Sequence, residues 1–317
     1  MGNYIIKRIC IALLTVWLIL TVVFFLVRML PGDAVMSMAG QSPKGLTAEQ
    51  RALLNHKLGL DRPIYIQYID WLNKAVHGDF GISINSRRPV MRDVLVRIPR
   101  TIEITFVALV IGLTIALSGG VISALHRNSF LDVAINGVLV LLGSTPVYIL
   151  GLFLLLFFGL HLRWVPTGGY VEFVKNPVQH IRLLILPSLT LGLWIGAVAA
   201  RMTRHAMLEV LSQDYIRTAF AKGLSKHVVY YVHALRNALI PVVTAIGLQV
   251  GALLGGAVLT EVVFTWPGLG SAFVSSVMRR DYPSIQGILI VTITMFIFTN
   301  LVVDIIVTIL DPRISRD

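Results

Sequence analysis

The sequence predicts an all-α, polytopic membrane protein with six transmembrane helices, a long first extracytoplasmic loop and a cytoplasmic helix-turn-helix. Three observations carry that prediction. Hydrophobic residues make up 56% of the 317-residue chain and charged residues 14%, with a mean hydropathy of +0.80, whereas soluble domains are about 45–50% apolar and about 25% charged. Six windows, 9–27, 102–125, 133–160, 183–200, 238–263 and 285–310, reach or approach the roughly 20 apolar residues a helix needs to cross a hydrocarbon core about 30 Å thick. Between the fourth and fifth lies a basic, helix-patterned stretch, 214–243, that is too polar to span a bilayer and too ordered in pattern to be a linker.

Lys7 and Arg8 precede the first window as they would a secretory leader. Its apolar run is too long, however, and Arg28-Met29-Leu30-Pro31 offers no small-residue cleavage site, so an uncleaved span is expected. Cys10 sits inside this run as the one cysteine of the chain, which excludes an intrachain disulfide and points to a packing role. Domain boundaries follow the windows: 1–30 for the N-terminus and first helix, 31–101 for an outer loop or cap, 102–310 for the membrane core with the loop 201–237 inside it, and 311–317 for a tail.

The outer loop is long enough to hold a small cap. Thr47 and Gln50 have capping-box spacing and Gly59 supplies a stop, which predicts a helix over about 48–58. A second amphipathic stretch, 63–76, carries Ile66, Ile69, Trp71 and Leu72, and a turn follows at 79–83. The cap is either a surface for a partner outside the membrane or a lid over helix ends. Further along, Gly143-Ser144-Thr145-Pro146 interrupts the third window and Pro187 lies in the fourth, each a hinge or a static kink.

Charge placement orients the chain. With both termini in the cytoplasm, the short inner segments carry eleven Lys and Arg against five in the short outer loops, as the positive-inside rule requires. The eleven in 28–101 do not count against this, because a loop beyond about 60 residues translocates largely regardless of charge. The formal charge of +11 is thus accounted for by the basic inner loop and the outer cap, and no nucleic-acid partner is expected.

Within the basic inner loop, 215–222 can form one helix and 228–238 another, with Gly223 permitting the sharp turn between them. Such a knob is a docking element. Ala219 and Ala221 allow another protein to approach, while Lys222, Lys226 and Arg236 can pair with acidic groups or with anionic lipid headgroups.

In the fifth window Gly247, Gly251 and Gly255 recur every four residues, with Gln249 and Gly256 nearby. That face permits close helix packing, or lines a path with Gln249. Glu103 and Glu261 fall near the outer ends of spans, where they can meet a cargo's amino group. Asp304, near an inner end, is suited to a helix contact or to an arginine such as Arg201. No GxxxxGK[ST] loop, HExxH or CxxC occurs, so neither catalytic residues nor metal ligands are expected, and nucleotide hydrolysis would need another subunit.

The stretch DYIRTAFAKGLSK followed by HALRNALIPVV resembles the cytoplasmic loop of ABC-importer permeases of the branch that imports dipeptides, oligopeptides, nickel and glutathione. The resemblance covers nearly the whole chain: YIIKRI and MLPGD at the start, GDFGIS in the outer loop, then ILPSLTLG, RMTRHAMLEVL, VFTWPGLG, RRDYPSIQG, NLVVDI and DPRI in order. The wider family's Glu-Ala-Ala pattern aligns through Gly223, which places Arg217 at the glutamate, Thr218 and Ala219 at the alanines, and Arg236 where a proline would follow.

The resemblance implies a permease in the bacterial inner membrane. It would pair with a second, similar permease, two ATPases that hold ATP and Mg2+, and an extracytoplasmic solute-binding protein. The chain would bind no cofactor of its own. ATPase docking would fall on Asp214, Tyr215, Arg217, Thr218, Ala219, Ala221, Lys222, Gly223, Leu224, Ser225 and Arg236. The cargo path is sought at Gln249, Gly251, Gly255, Glu261 and Pro146. Peptide is the expected cargo, with nickel, another chelate or glutathione as alternatives, and a passive channel or stand-alone carrier as the rival class.

Overall fold

The structure, a computed structural model, describes residues 2–29, 56 and 61–310. Among these residues the regular structure is helical, with one isolated antiparallel bridge between Ile82 and Pro89. The α-helices are α1 (Gly2–Met29), α2 (Ile64–Val76), α3 (Val90–Leu125), α4 (Phe130–Ser144), α5 (Val147–Leu154), α6 (Pro177–Leu211), α7 (Asp214–Ala221), α8 (Leu235–Val263), α9 (Leu269–Met278) and α10 (Tyr282–Leu310). A π-helical turn, Leu155–His161, extends α5, and another, Val228–Ala234, leads into α8. The helix expected over about 48–58 lies outside the described residues apart from His56.

Among the described residues, four helices contain stretches long and apolar enough to cross a membrane: Ile6–Phe25, Val90–Leu125, Pro177–Leu211 and Tyr282–Ile305. The third expected window is not one straight crossing. Helices α4 and α5 meet at 107° across Thr145-Pro146, because proline has no N–H to continue the ladder and drives the preceding residue to extended backbone, here φ −80° and ψ 128° at Thr145. Pro187, by contrast, sits inside the continuous 35-residue α6. The second helix of the basic loop also departs from expectation. Instead of ending near 238 it runs without a break into the fifth window as the 29-residue α8, since only Pro241 interrupts its sequence and a membrane helix tolerates it.

The described residues form two compact units, one of 101–266 with 2–6 and 299–310, the other of 7–29 and 61–100 with 267–298. In the first, α6 is the central helix, and α3 lies against it through small residues. A Cβ on Gly192 would stand 2.7 Å from Ile111, and one on Gly196 3.1 Å from the Gly112 Cα. Two turns further, a Cβ on Gly120 would meet the Ala200 carbonyl at 2.6 Å and Thr203 at 2.5 Å. Membrane helices lack a hydrophobic drive to associate, so close backbone approach and dispersion hold them. Gly120→Ala should therefore cost about 1–3 kcal/mol through overpacking. The check is a lower unfolding midpoint in detergent, and an unchanged midpoint would mean that the two helices part easily here.

In the second unit, the Phe24 ring of α1 packs edge-on to Tyr68 and against Trp71 of α2, and the Thr21 and Tyr68 hydroxyls meet at 2.7 Å. Leu72 joins the same cluster while Ile69, on the other face, is exposed. The turn that follows bends at Gly78 and Gly81, whose φ values of +77° and +80° favour glycine. Val90, Val94, Leu269, Ala272 and Ile288 form a further core in this unit.

Buried Asp281 precedes α10 and holds the 83–85 backbone. Its carboxylate accepts from the Ser83 hydroxyl (2.5 Å), the Ile84 and Asn85 N–H groups (3.2 and 3.4 Å), the Asn85 amide and the Ser284 N–H. Burial pushes this carboxyl up, but the donors together hold it below the ordinary aspartate range. A depressed native value means that the stabilisation is present above the ordinary range and is lost as pH falls through the lowered one. The protection of the 83–85 amides, taken relative to their intrinsic exchange rates, should accordingly be high near neutral pH and fall in acid, and Asp281→Asn should abolish that fall. Equal protection in that variant would show that the carboxylate charge is not what fixes the turn.

Candidate functional site

The basic loop is built outward from α6. Ser212 closes that helix by bonding the Glu209 carbonyl through both its N–H and its hydroxyl, and α7 begins two residues later. Along α7, Ile216 and Ala219 fall on one face and are buried with Val121 and Ala124 of α3, Met207 of α6, Val229 of the π-helical turn, and Ala238 and Val242 of α8. The Phe220 ring meets Tyr230 edge-on, and the Asn237 amide donates to the Tyr215 hydroxyl at 3.1 Å. The loop is therefore a fixed knob and not a flexible tether.

Gly223 ends α7 by a paired closure. Its N–H donates to the Phe220 carbonyl (2.9 Å) and the Leu224 N–H to the Ala219 carbonyl (3.3 Å), with Gly223 at φ +81°. This is the left-handed helix stop that glycine serves best. A Cβ there would meet nothing within 4 Å, so the conformation and not space demands glycine.

Asp214, Tyr215, Arg217, Thr218, Ala221, Lys222, Gly223, Leu224, Ser225 and Arg236 are all exposed on the knob. Asp214 and Arg217 pair at 3.5 Å in the open, a contact of small energetic weight. Ala219 corrects the expectation: it faces the protein's own core and offers nothing to a partner, because it continues the apolar stripe begun by Ile216.

The residues sought as a path are not brought to one place. Gln249 is half-buried and Gly251 buried on α8, whereas Glu261 lies about 18 Å further along the same helix. On the glycine face, Gly247 abuts Val303 of α10, which is helix packing. Gly255 lies one turn further along α8 than Gly251. Pro146 is exposed at the bend between α4 and α5. Glu261 is fully buried and accepts from the Thr101 hydroxyl at 2.6 Å, so it holds α3 to α8 and is withdrawn as an open cargo contact. Glu103 likewise has a partner: its carboxyl group lies 2.6 Å from Nε2 of buried His180, while His180 Nδ1 lies 2.6 Å from the Val171 carbonyl oxygen and the ring packs among Tyr170, Phe173 and Trp266.

Sequence reasoning missed a dense buried polar cluster. Buried Asp132, at the start of α4, accepts from Nε and Nη2 of Arg204 on α6, both at 2.8 Å. It also accepts from the Ser123 hydroxyl of α3, the Asn128 N–H and the Asn136 amide. The arginine of this cluster is Arg204, whose Nη2 forms the ion pair with Asp132. The signal was present in Ser129 and Asp132, whose spacing marks a helix start, and Ser129 does cap α4.

Two family models match: the binding-protein-dependent transport system inner membrane component over residues 116–316, and the N-terminal part of the binding-protein-dependent transport system membrane component over residues 1–105. The di/tripeptide transport system permease protein DppB of Pseudomonas aeruginosa is 40% identical over all of this chain and 99% of its own length. The glutathione transport system permease protein GsiC of Shigella flexneri is 42% identical over 99% of each. Among solved structures, the MetNI methionine ABC transporter in inward-facing conformations aligns with a TM-score of 0.59 at 20% identity, covering 69% of this chain and 97% of that one. An amino acid ABC transporter aligns at 0.50 and 15% identity, over 70% and 94%. At those identities the likeness is one of fold.

Proposed function

The chain belongs to the binding-protein-dependent transport system inner membrane components, and from that premise we propose that it is half of a translocation path for di- or oligopeptides. In this reading it crosses the membrane six times with both termini in the cytoplasm. It pairs with a second, similar permease, takes cargo from an extracytoplasmic binding protein, and is driven by two ATPases that hold ATP and Mg2+. Transport of dipeptides by the relatives named DppB supports peptide as cargo; GsiC favours glutathione as the second reading.

One observation carries the mechanism. The exposed knob shares a single buried cluster with α3, α6 and α8 through Ile216, Ala219, Val229 and Ala238. A protein that pushes on Asp214, Arg217, Thr218, Ala221, Lys222 or Ser225 therefore displaces the helix bundle and not a loose loop. Such bistable coupling lets the nucleotide cycle in one subunit open the path in another first to one side and then to the other. The broken α4–α5 and the α8 segment around Gln249, Gly251 and Gly255 are the places we assign to that path.

The test is purification in mild detergent followed by reconstitution. Co-purification of a second permease and ATPases, with ATP-dependent accumulation of a labelled dipeptide in vesicles, is expected. Excess glutathione as competitor separates the two cargo readings. A chain that purifies alone and passes solute without ATP would instead be a channel or stand-alone carrier. In the same vesicles Gln249→Leu should alter uptake rate or cargo preference by a few-fold with assembly intact. Unchanged kinetics across several peptides would return Gln249 to packing.

A further inference from the structure

Arg201 of α6 follows directly on the fourth apolar window, 183–200. It is half-buried, and its Nε is enclosed without a hydrogen-bond partner. Among the described residues no hydrogen bond or ion pair engages its guanidinium. Arg204, one turn further on, shows the usual arrangement, with its Nε and Nη2 both held by Asp132. A buried donor left unmade is costly, so each one in a folded protein calls for an explanation.

The direction of the side chain supplies one. Helical side chains lean toward the N-terminus of their helix, which in α6 is away from the knob and into the apolar window. A Cβ on Gly143 of α4 would stand 3.6 Å from Arg201 Nη2 and 3.8 Å from the side chains of both Ala197 and Val198. The guanidinium is therefore level with the preceding turn of α6, beside a glycine two residues short of the Thr145-Pro146 break. An arginine that sought only water would reach for the inner interface. A charge drawn into an apolar span faces protein partners or a polar path, and the backbone freed at a helix break is tolerated where it is covered or lines a cavity.

We propose that Arg201 binds the terminal carboxylate of the cargo as it passes the α4–α5 break, an inference that rests on the function proposed above and names the chemistry of its substrate. A guanidinium fork pairs bidentately with a carboxylate. Every unmodified peptide ends in one and glutathione carries them too, so one arginine serves such cargo whatever its side chains. The same charge opposes a bare divalent cation.

The experiment uses the complete transporter, with permease pair, ATPases and binding protein, in sealed vesicles. ATP-driven uptake of a labelled dipeptide is compared with that of its C-terminal amide, each at a concentration that saturates the binding protein, in the wild type and in Arg201→Gln. The binding protein brings the same preference to both transporters, so it cancels between them. The acid-to-amide uptake ratio should fall at least about tenfold in the glutamine variant. Arg201→Lys, which keeps the charge without the fork, should give an intermediate ratio. Because no described residue engages Arg201, the glutamine variant should keep its second permease and the wild-type unfolding midpoint. An unchanged acid-to-amide ratio overturns the proposal. So does loss of the second permease or a lowered midpoint, either of which would make Arg201 a structural contact. If the wild type accumulates neither the dipeptide nor glutathione with ATP, the importer reading itself fails and this inference with it, a result distinct from uptake that ignores the carboxylate.

Discussion

Gly223→Val should end ATP-driven uptake while leaving the chain inserted in the membrane at its normal level. The left-handed backbone at Gly223 costs a side-chain-bearing residue about 1–2 kcal/mol, and a β-branched side chain more. No neighbour lies within 4 Å of the new Cβ, so steric relief by repacking is not available; the turn itself must change. Losing the Gly223 and Leu224 closing bonds would re-aim Lys222, Leu224 and Ser225 on the exposed face. The membrane helices do not depend on that turn, hence the intact insertion. Gly223→Asn is the control, because asparagine tolerates left-handed backbone, and it should retain much of the uptake. Full transport by the valine variant would remove the knob from the coupling mechanism, whereas equal loss in both would make the glycine's small size, and not its conformation, the requirement.

Asp132→Ala should destabilise the protein by about 3–5 kcal/mol, the usual consequence of removing one partner of a buried ion pair. Arg204 would keep its charge among α3, α4 and α6 with its bidentate acceptor gone, and the Ser123 hydroxyl, Asn128 N–H and Asn136 amide would lose theirs. Unfolding in detergent measures the loss. Replacing both partners, Asp132→Leu with Arg204→Met, should recover much of it, since a well-packed apolar pair is often no worse than a buried salt bridge. A single variant that loses less than about 1 kcal/mol would show that water screens the pair.

Hydropathy alone located the four described helices that are long and apolar enough to cross a membrane, because a 20-residue apolar run has few other uses in a protein. The helix stop at Gly223 was legible for a similar reason: few residues other than glycine serve a left-handed cap. What the sequence hid were facts of direction. Ala219 looked like an open contact until its place one turn from Ile216 put it under the knob. Glu103 and Glu261 looked like free carboxylates near span ends, but their partners, His180 and Thr101, lie 77 and 160 residues away. Asp132 and Arg204 are 72 apart, and no local pattern reports such a pairing. Likewise, Thr145-Pro146 announced a break in the third window, yet its 107° depends on what α4 and α5 each pack against.

The helical run from Val228 through Val263 continues for 36 residues, about 54 Å at 1.5 Å per residue. Just past its far end the Phe264 carbonyl receives the Gly169 N–H at 3.0 Å, and Trp266 sits edge-on to Tyr170. A tilt of about 10° about the run's midpoint would swing each tip by about 5 Å. Under the coupling proposed above, the run is a lever with its handle at the knob and its tip beside Gly169 and Tyr170, so a stroke needs no chain of intermediate contacts to travel that length.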